Sequence, residues 1–197
     1  MTRLGPGFAL LSTVLLAGAV ACSDSSGPTK PVVVPPSALT ILTLPALTAP
    51  ALCQDSVGFW ARTDQTRKAT ISFNDGDCSP GEQFLSFEVQ NGSLSRRPDG
   101  SAFGAVDSIF IWIKPAPDSV LFTFEPSDLR FNSARPAKLQ LAYGEAQVTD
   151  STIENQLGLW VQELPGDSLT LVGSVKTEEF DEFEADILGF SRYAIAY

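Results

Sequence analysis

This sequence predicts an all-β fold, an antiparallel β-sandwich formed by one domain. Through most of the chain after Leu39, apolar residues alternate with polar residues, which is the pattern of half-buried strands. Turn sequences such as NDGD, RPDGS and KPAPDS separate these segments, and their Gly, Pro, Asn and Asp residues favour tight turns. Strands of about five to eight residues at this spacing are typical of antiparallel sandwiches.

Each predicted strand places every second side chain toward the core. In chain order, the predicted core positions are Ala69, Ile71 and Phe73; Leu85, Phe87 and Val89; Ile109, Ile111 and Ile113; Val120, Phe122 and Phe124; Leu139, Leu141 and Tyr143; Leu157, Leu159 and Val161; Leu169, Leu171 and Val175; and Phe183, Ala185 and Ile187. After a bend at Gly189, Tyr193, Ile195 and Tyr197 continue the alternation, so we expect a final strand paired inside the sandwich. The one helical turn that we predict is DSTIENQ, where Ser151 and Glu154 could form a capping box.

The first 21 residues are typical of a secretory signal peptide. Arg3 precedes FALLSTVLLAGAVA (Phe8–Ala21), fourteen residues without a charge, which is shorter than the roughly 20 apolar residues a membrane-spanning helix needs. The sequence AVAC, ending at Cys22, resembles the cleavage site of bacterial lipoproteins, although those proteins usually have Leu where Ala19 stands. The resemblance implies that Cys22 becomes the amino terminus and carries a diacylglycerol and a fatty acid such as palmitate. Ordinary signal peptidase could cut the same bond.

The residues after the cleavage site predict a spacer and one domain. Residues 22–37 are rich in Ser and Pro, and we expect an extended tether of about 3.1 Å per residue. Residues 38–197 are long enough to bury a core of their own. Ser23 after the cysteine, by resemblance to the sorting pattern of lipoproteins, favours the outer membrane.

The two cysteines in the predicted domain, Cys53 and Cys78, predict a disulfide. In an exported protein two remaining thiols are expected to pair. The bridge would stabilise the fold by about 3 to 4 kcal/mol in the chain-entropy model.

Charge and composition argue against several classes of function. Without Arg3 the mature chain has 12 Lys and Arg against 23 Asp and Glu, a net charge of −11, so it repels nucleic acid. The chain contains no histidine, so Ser-His-Asp nucleophiles and His-liganded zinc do not arise. Paired carboxylates could hydrolyse a glycoside, but nothing in the sequence selects a pair. We therefore predict no enzymatic activity and no cofactor.

The second half of the chain carries a family resemblance. The segments FEPSDLRFNSARPAKLQLAY, LGLWVQ and GFSRYAIAY resemble the ZU-five-type β-sandwich, an immunoglobulin-like module of ankyrins, netrin receptors and exported bacterial proteins. The matching residues are Pro126, Leu129, Phe131, Pro136, Leu139, Leu141, Tyr143, Phe190, Ser191 and Tyr193. Glu125 and Asp128 replace glycines usual in the family. The clear match covers residues 124–197, and the family-like core covers about residues 84–197.

The resemblance also bears on activity. Some members cut their own chain at a His-Phe-Ser triplet, where the serine attacks the preceding carbonyl and the histidine moves the proton. Here the triplet is Gly189-Phe190-Ser191. Members without the histidine are binding or structural modules, so the resemblance implies a chain that stays uncut.

Three features keep other functions open. The acidic run EEFDEFEAD (178–186) and the loop FNDGDCSPGE (73–82) offer carboxylates to calcium, although a solvated strand face and a hairpin loop explain them equally. Trp60, Trp112 and Trp160 could form a sugar-binding platform if exposed, or pack within the sheets.

The sequence thus predicts a membrane-anchored extracytoplasmic binding or structural module. Its expected partners are the membrane at Cys22 and a protein or glycan of the envelope. The alternative is a carbohydrate-binding, carbohydrate-active or calcium-dependent surface protein.

Overall fold

The computed structural model describes residues 30–46, 48–74, 76, 78, 81–177 and 181–197. Within them the chain is almost entirely antiparallel β-structure arranged as a sandwich, which confirms the predicted fold class. The strands of the first half are β1 (Val33–Val34), β2 (Val57–Arg62), β3 (Arg67–Ser72), β4 (Gln83–Val89), β5 (Leu94–Arg96), β6 (Ser108–Pro115) and β7 (Leu121–Glu125). Those of the second half are β8 (Arg130–Phe131), β9 (Ala137–Ala142), β10 (Gly158–Gln162), β11 (Leu169–Leu171), β12 (Ser174–Thr177), β13 (Glu182–Ile187) and β14 (Arg192–Ala196).

The described strands form two large sheets and a small one. The seven-stranded sheet has the order β1-β11-β10-β14-β7-β6-β2, and the five-stranded sheet has the order β12-β13-β9-β4-β3. Strands β5 and β8 pair separately. The carboxy-terminal strand β14 lies between β10 and β7, so the end of the chain is paired inside a sheet as its alternation predicts.

The core lies between the two large sheets. Its largest fully buried side chains include Phe84, Phe87, Phe122, Phe124 and Phe190. The ring centroids of Phe87 and Phe124 lie 5.3 Å apart, which joins the two sheets through an edge-on contact. Burying each such ring stabilises the fold by roughly 1.5 to 3 kcal/mol.

Most predicted core positions are confirmed, including every one predicted for β3, β4, β7, β9 and β13. Most of the residues that carry the family resemblance also lie in this core; the buried ones are Leu129, Phe131, Leu139, Leu141, Tyr143, Phe190, Ser191 and Tyr193. Their apolar spacing therefore follows from sandwich packing.

The prediction for SLTLVGSV was wrong. Leu171 and Val175 are 39% and 65% exposed, because this segment is two strands that belong to different sheets. The chain leaves the seven-stranded sheet after β11 and enters the five-stranded sheet at β12, so one alternation cannot continue through it. Leu169 is buried on the outer face, beside Trp160.

The amino-terminal segment of the described unit covers part of that outer face. Val34, Leu39 and Ile41 pack against Trp160, Leu169 and Ala196. The unit begins at Pro31, so it starts seven residues before the predicted boundary at residue 38. Strand β1 pairs with β11 at the edge of the sheet, where neighbouring prolines are tolerated. Part of the predicted tether therefore belongs to the fold.

The predicted helical turn and the predicted disulfide are both present. The helical turn exists as α1 (Ser151–Glu154), but the side chain that caps it is Asp150, which accepts a hydrogen bond from the Thr152 N–H. The Cys53–Cys78 disulfide is present, with Cα atoms 5.6 Å apart. No helix among the described residues has the length and apolar character needed to cross a bilayer.

Candidate functional site

Three large rings lie exposed on the outer face of the seven-stranded sheet. Trp60 on β2 is 61% exposed, and Phe110 and Trp112 on β6 are 37% and 40% exposed. Their neighbours Ala61 and Ile111 are fully buried, because alternate residues of these strands face the core. We call Trp60, Phe110 and Trp112 the aromatic surface.

The strand register holds these rings in contact. Trp60 lies directly opposite Phe110, and their ring centroids are 5.4 Å apart in an edge-on arrangement. The rings of Phe110 and Trp112 are 5.9 Å apart, also edge-on. Gly58 makes room for this packing, since a Cβ atom there would lie 2.6 Å from Cζ of Phe110. Edge-on ring pairs add about 0.5 to 1.5 kcal/mol beyond burial, so the surface is ordered by its own contacts.

Polar side chains on β6 and on the strands beyond it lie beside the aromatic surface. The Lys114 ammonium binds the Glu125 carboxylate at 3.1 Å and lies 5.5 Å from the centre of the Trp112 ring. The Arg192 guanidinium donates to Oε1 of Gln162 at 2.7 Å. These groups stand on strands, so donors and acceptors are held at fixed positions beside the rings.

A cleft of about 560 Å³ lies alongside the aromatic surface. Phe110 and Trp112 line it together with Leu164 and Pro165 from the turn after β10 and Pro126 from the turn after β7. The polar side chains that line it are Thr123, Glu125, Ser127, Glu163, Ser191 and Arg192. Apolar walls with a few convergent polar groups are the usual composition of a ligand site.

Ser191 lies at the rim of this cleft. Its hydroxyl donates to Oε2 of Glu163 at 2.8 Å and lies 2.7 Å from the Phe190 carbonyl oxygen. Burial, with the nearby Glu163 charge, raises the pKa of the Tyr193 hydroxyl, which donates to the Gly189 carbonyl at 2.6 Å. Ser191 thus faces a carboxylate and no imidazole. That the chain stays uncut before Ser191 is still a prediction.

The outer face of the five-stranded sheet is charged and internally paired. Lys68, Glu88, Lys138 and Asp186 follow one another across four strands in alternating sign. Lys138 binds Asp186, and Gln140 donates to Glu184. This confirms the solvated strand face for the described part of the acidic run, because Glu184 and Asp186 are exposed and already have partners.

Calcium was the other interpretation of the acidic segments. Among the described residues, no three Asp, Glu or Cys side chains converge as a metal site would require. Asp75, Asp77, Glu178 and Glu179 lie outside the described residues, and so does Cys22. The calcium interpretation is therefore untested for those carboxylates, as is lipid attachment at Cys22.

The three tryptophans divide between the two roles that the sequence leaves open. Trp160 is 7% exposed and donates from its ring N–H to the Ala196 carbonyl at 3.2 Å, so it is a packing residue. Trp60 and Trp112 are exposed and form the candidate site. Sequence reasoning did not single out Phe110 or the cleft, because the IFIWI segment is apolar on both faces of its strand.

Comparison with models of known families, with curated proteins and with solved structures finds no match to this chain.

Proposed function

We propose that the protein is a membrane-anchored extracytoplasmic module without catalytic activity, and that it binds its partner through the aromatic surface. The observation that carries the proposal is the exposure of three contacting rings on two adjacent strands. Contiguous exposed apolar surface on a folded domain is typical of a binding site. Tryptophan is also among the residues that contribute most to binding energy at protein surfaces.

The anchor is the second part of the proposal. We infer that a lipid at Cys22 holds the protein to the cell envelope, with the outer membrane favoured by Ser23. Each buried methylene of a lipid contributes about 0.8 kcal/mol, so several acyl chains on one cysteine anchor firmly. The ZU-five-type resemblance supports a binding or structural role and stays part of the proposal.

The position of the aromatic surface suits an anchored binder. The described unit begins at Pro31 beside β1, at one edge of the seven-stranded sheet. Trp60 lies on β2 at the opposite edge, six strand spacings away, or about 29 Å at about 4.8 Å per strand. A partner can therefore approach the aromatic surface without crossing the point where the chain enters the domain.

Binding to the native envelope tests the role of the aromatic surface. We expect the mature protein to be retained by solubilised envelope, and Trp60→Ala with Trp112→Ala to reduce retention about tenfold or more, as loss of hot-spot rings does. The matched control is Val175→Ala with Leu188→Ala, which removes two apolar side chains that are 65% and 51% exposed elsewhere. Equal retention of both double variants and wild type would contradict the proposal.

Carbohydrate binding is the second candidate function. It is favoured by the exposure of Trp60 and Trp112 beside a cleft with hydrogen-bonding groups, since sugars stack on aromatic rings and bond through their hydroxyls. Titration with cellohexaose and maltohexaose, followed by tryptophan fluorescence, tests it. A saturable change that Trp112→Ala removes would support it, and no change at millimolar sugar would exclude these sugars.

A further inference from the structure

Strand β2 is a sheet edge with hydrogen-bonding groups that face outward. It pairs with β6 on one side, and no described strand lies on its other side. The Thr63 N–H donates to the Asp107 carbonyl at 3.0 Å, which fixes the phase of the antiparallel ladder. Because bonded and non-bonded pairs alternate, the N–H and C=O groups of Phe59 and Ala61 point to β6. Those of Gly58 and Trp60 therefore point away from the sheet.

The other described edges of the two large sheets are shorter or carry protective features. β1 has two residues between prolines, and β12 has four residues with Lys176 among them. β3 begins with Arg67 and Lys68, has an irregular register after Ile71, and is covered at its end by residues 51–53. Short length, lysine, proline and bulges are the devices that prevent unwanted strand pairing.

β2 has none of these devices. It is six residues long, contains neither lysine nor proline, and pairs with β6 in one unbroken register. Arg62 at its end is bound to Asp64 at 2.9 Å and so presents no free charge. An open edge beside an exposed apolar surface is a site of strand addition or of aggregation.

The side chains of β2 suit an added strand. A strand paired to Gly58 and Trp60 would place alternate side chains beside the Trp60 ring on the outer face and beside half-buried Phe59 on the inner face. Backbone bonds would supply affinity, and the Trp60 ring would favour apolar residues at the alternate positions of the added strand that face outward. The aromatic surface and the open edge thus form one continuous site.

We propose that the partner of the aromatic surface is an extended, non-acidic polypeptide strand of another protein, which adds to the edge of β2. The inference rests on the proposed binding function and names the class of its partner. Net charge favours one occupant over the other. A second copy would bring together two mature chains, each with a predicted net charge of −11, whereas a basic strand is attracted and a neutral strand is not repelled.

Amide exchange with defined peptides tests strand addition. The probes are blocked nonapeptides with valine at every second position and lysine, threonine or glutamate between, added to the mature protein in detergent. We expect the lysine and threonine peptides to slow exchange of the Gly58 and Trp60 amides about tenfold, as one new hydrogen bond would. The Phe59 and Ala61 amides, already bonded to β6, should not change. The glutamate peptide should bind more weakly.

Two controls separate backbone pairing from other modes. N-methylation of every second residue of the lysine peptide keeps its side chains but removes the backbone donors from one edge of the strand. We expect the form methylated on the edge that meets β2 to lose protection, and the form methylated on the opposite edge to keep it. Trp60→Pro removes an outward N–H together with the ring, whereas Trp60→Ala removes only the ring, and we expect the proline variant to bind more weakly. Trp112→Ala, on β6 and off the edge, should weaken binding less than either.

Several outcomes would overturn the inference. The first is that no peptide protects the Gly58 and Trp60 amides from exchange. The second is that these amides are protected without peptide in a protein that sediments as a dimer, which would identify a second copy as the partner. The third is that Trp60→Ala and Trp112→Ala weaken binding equally and the protein binds sugar, which would identify a glycan. If peptides fail but the tryptophan double variant still loses envelope binding, strand addition fails and the proposed function stands. If envelope binding is also unchanged, both fail.

Discussion

At the scale of single residues, buried polar groups near the end of the chain have defined partners. The Tyr193 hydroxyl reaches back four residues to the Gly189 carbonyl, which lies at the bend before β14. A buried carbonyl without a partner costs about 1 to 3 kcal/mol, so this bond stabilises the bend. The alternation predicts that Tyr193 points inward, but it does not predict this bond.

Tyr193→Phe should lower the free energy of unfolding by about 1 to 2 kcal/mol at pH 7, since it removes that bond without changing the ring. Burial raises the pKa of Tyr193 above its ordinary value of 10.0, so the folded state keeps the proton that the unfolded chain releases. The contribution of Tyr193 is therefore complete below pH 10 and is lost as pH rises above it. Urea unfolding should show that the difference in free energy of unfolding between wild type and Tyr193→Phe is smaller at pH 11 than at pH 7. An unchanged difference would contradict this account.

At the scale of elements, two segments outside the central strands pack against the sandwich. Residues 51–53 lie beside the end of β3, where the Cys53 N–H donates to the Ser72 carbonyl and the Asn74 N–H to the Ala51 carbonyl. On the other face, β1 and residues 39–41 cover Trp160. These contacts join residues far apart in sequence, so no local pattern indicates them.

Removal of the disulfide should destabilise the first of these segments. The bridge closes 25 residues, for which the chain-entropy model gives about 3.5 kcal/mol. We expect Cys53→Ser with Cys78→Ser to lower the free energy of unfolding by about that amount in urea. Wild type with reductant should match the double variant. A loss below about 1 kcal/mol would show that the segment is held by its hydrogen bonds alone.

Removal of β1 should destabilise the second segment. A chain that starts at Ala38 lacks the pairing of Val33 and Val34 with β11 and the cover that Val34 gives Leu169. We expect it to be about 1 to 2 kcal/mol less stable than a chain that starts at Pro31. A chain that starts at Cys22 is the control and should match the longer form. Equal unfolding midpoints for all three would show that β1 contributes nothing to stability.

The same elements show what the sequence can predict. Where one face of a strand is polar, as in EFEADI, a period of two identifies both the strand and its buried side. Where both faces are apolar, as in IFIWI, the alternation correctly assigns Ile111 and Ile113 to the core, but it does not predict that Phe110 and Trp112 on the opposite face stay exposed. The sequence did not predict that the chain changes sheet after Leu171, because an alternation of apolar and polar residues does not indicate which sheet a strand joins.

At the scale of the whole molecule, the strand through which the chain enters the domain and the open edge of β2 lie at opposite edges of the seven-stranded sheet. The chain enters the seven-stranded sheet at β1, and the aromatic surface with its open edge lies at β2. The proposed binding role belongs to residues on two strands, β2 and β6, that the fold makes adjacent. The proposed anchor belongs to the sequence before residue 30. The two parts of the proposal can therefore fail separately.

Lipid attachment at Cys22 is the claim on which an extracytoplasmic, membrane-held function depends. The direct measurement is incorporation of an alkyne-bearing palmitate during growth in a bacterial host, followed by mass determination of the mature amino terminus. We predict that the wild-type protein begins at Cys22 and carries the label. We also predict that Cys22→Ala carries no label and that Ser23→Ala is labelled like the wild type. Wild-type protein that carries no label, or a label that survives Cys22→Ala, would contradict the account.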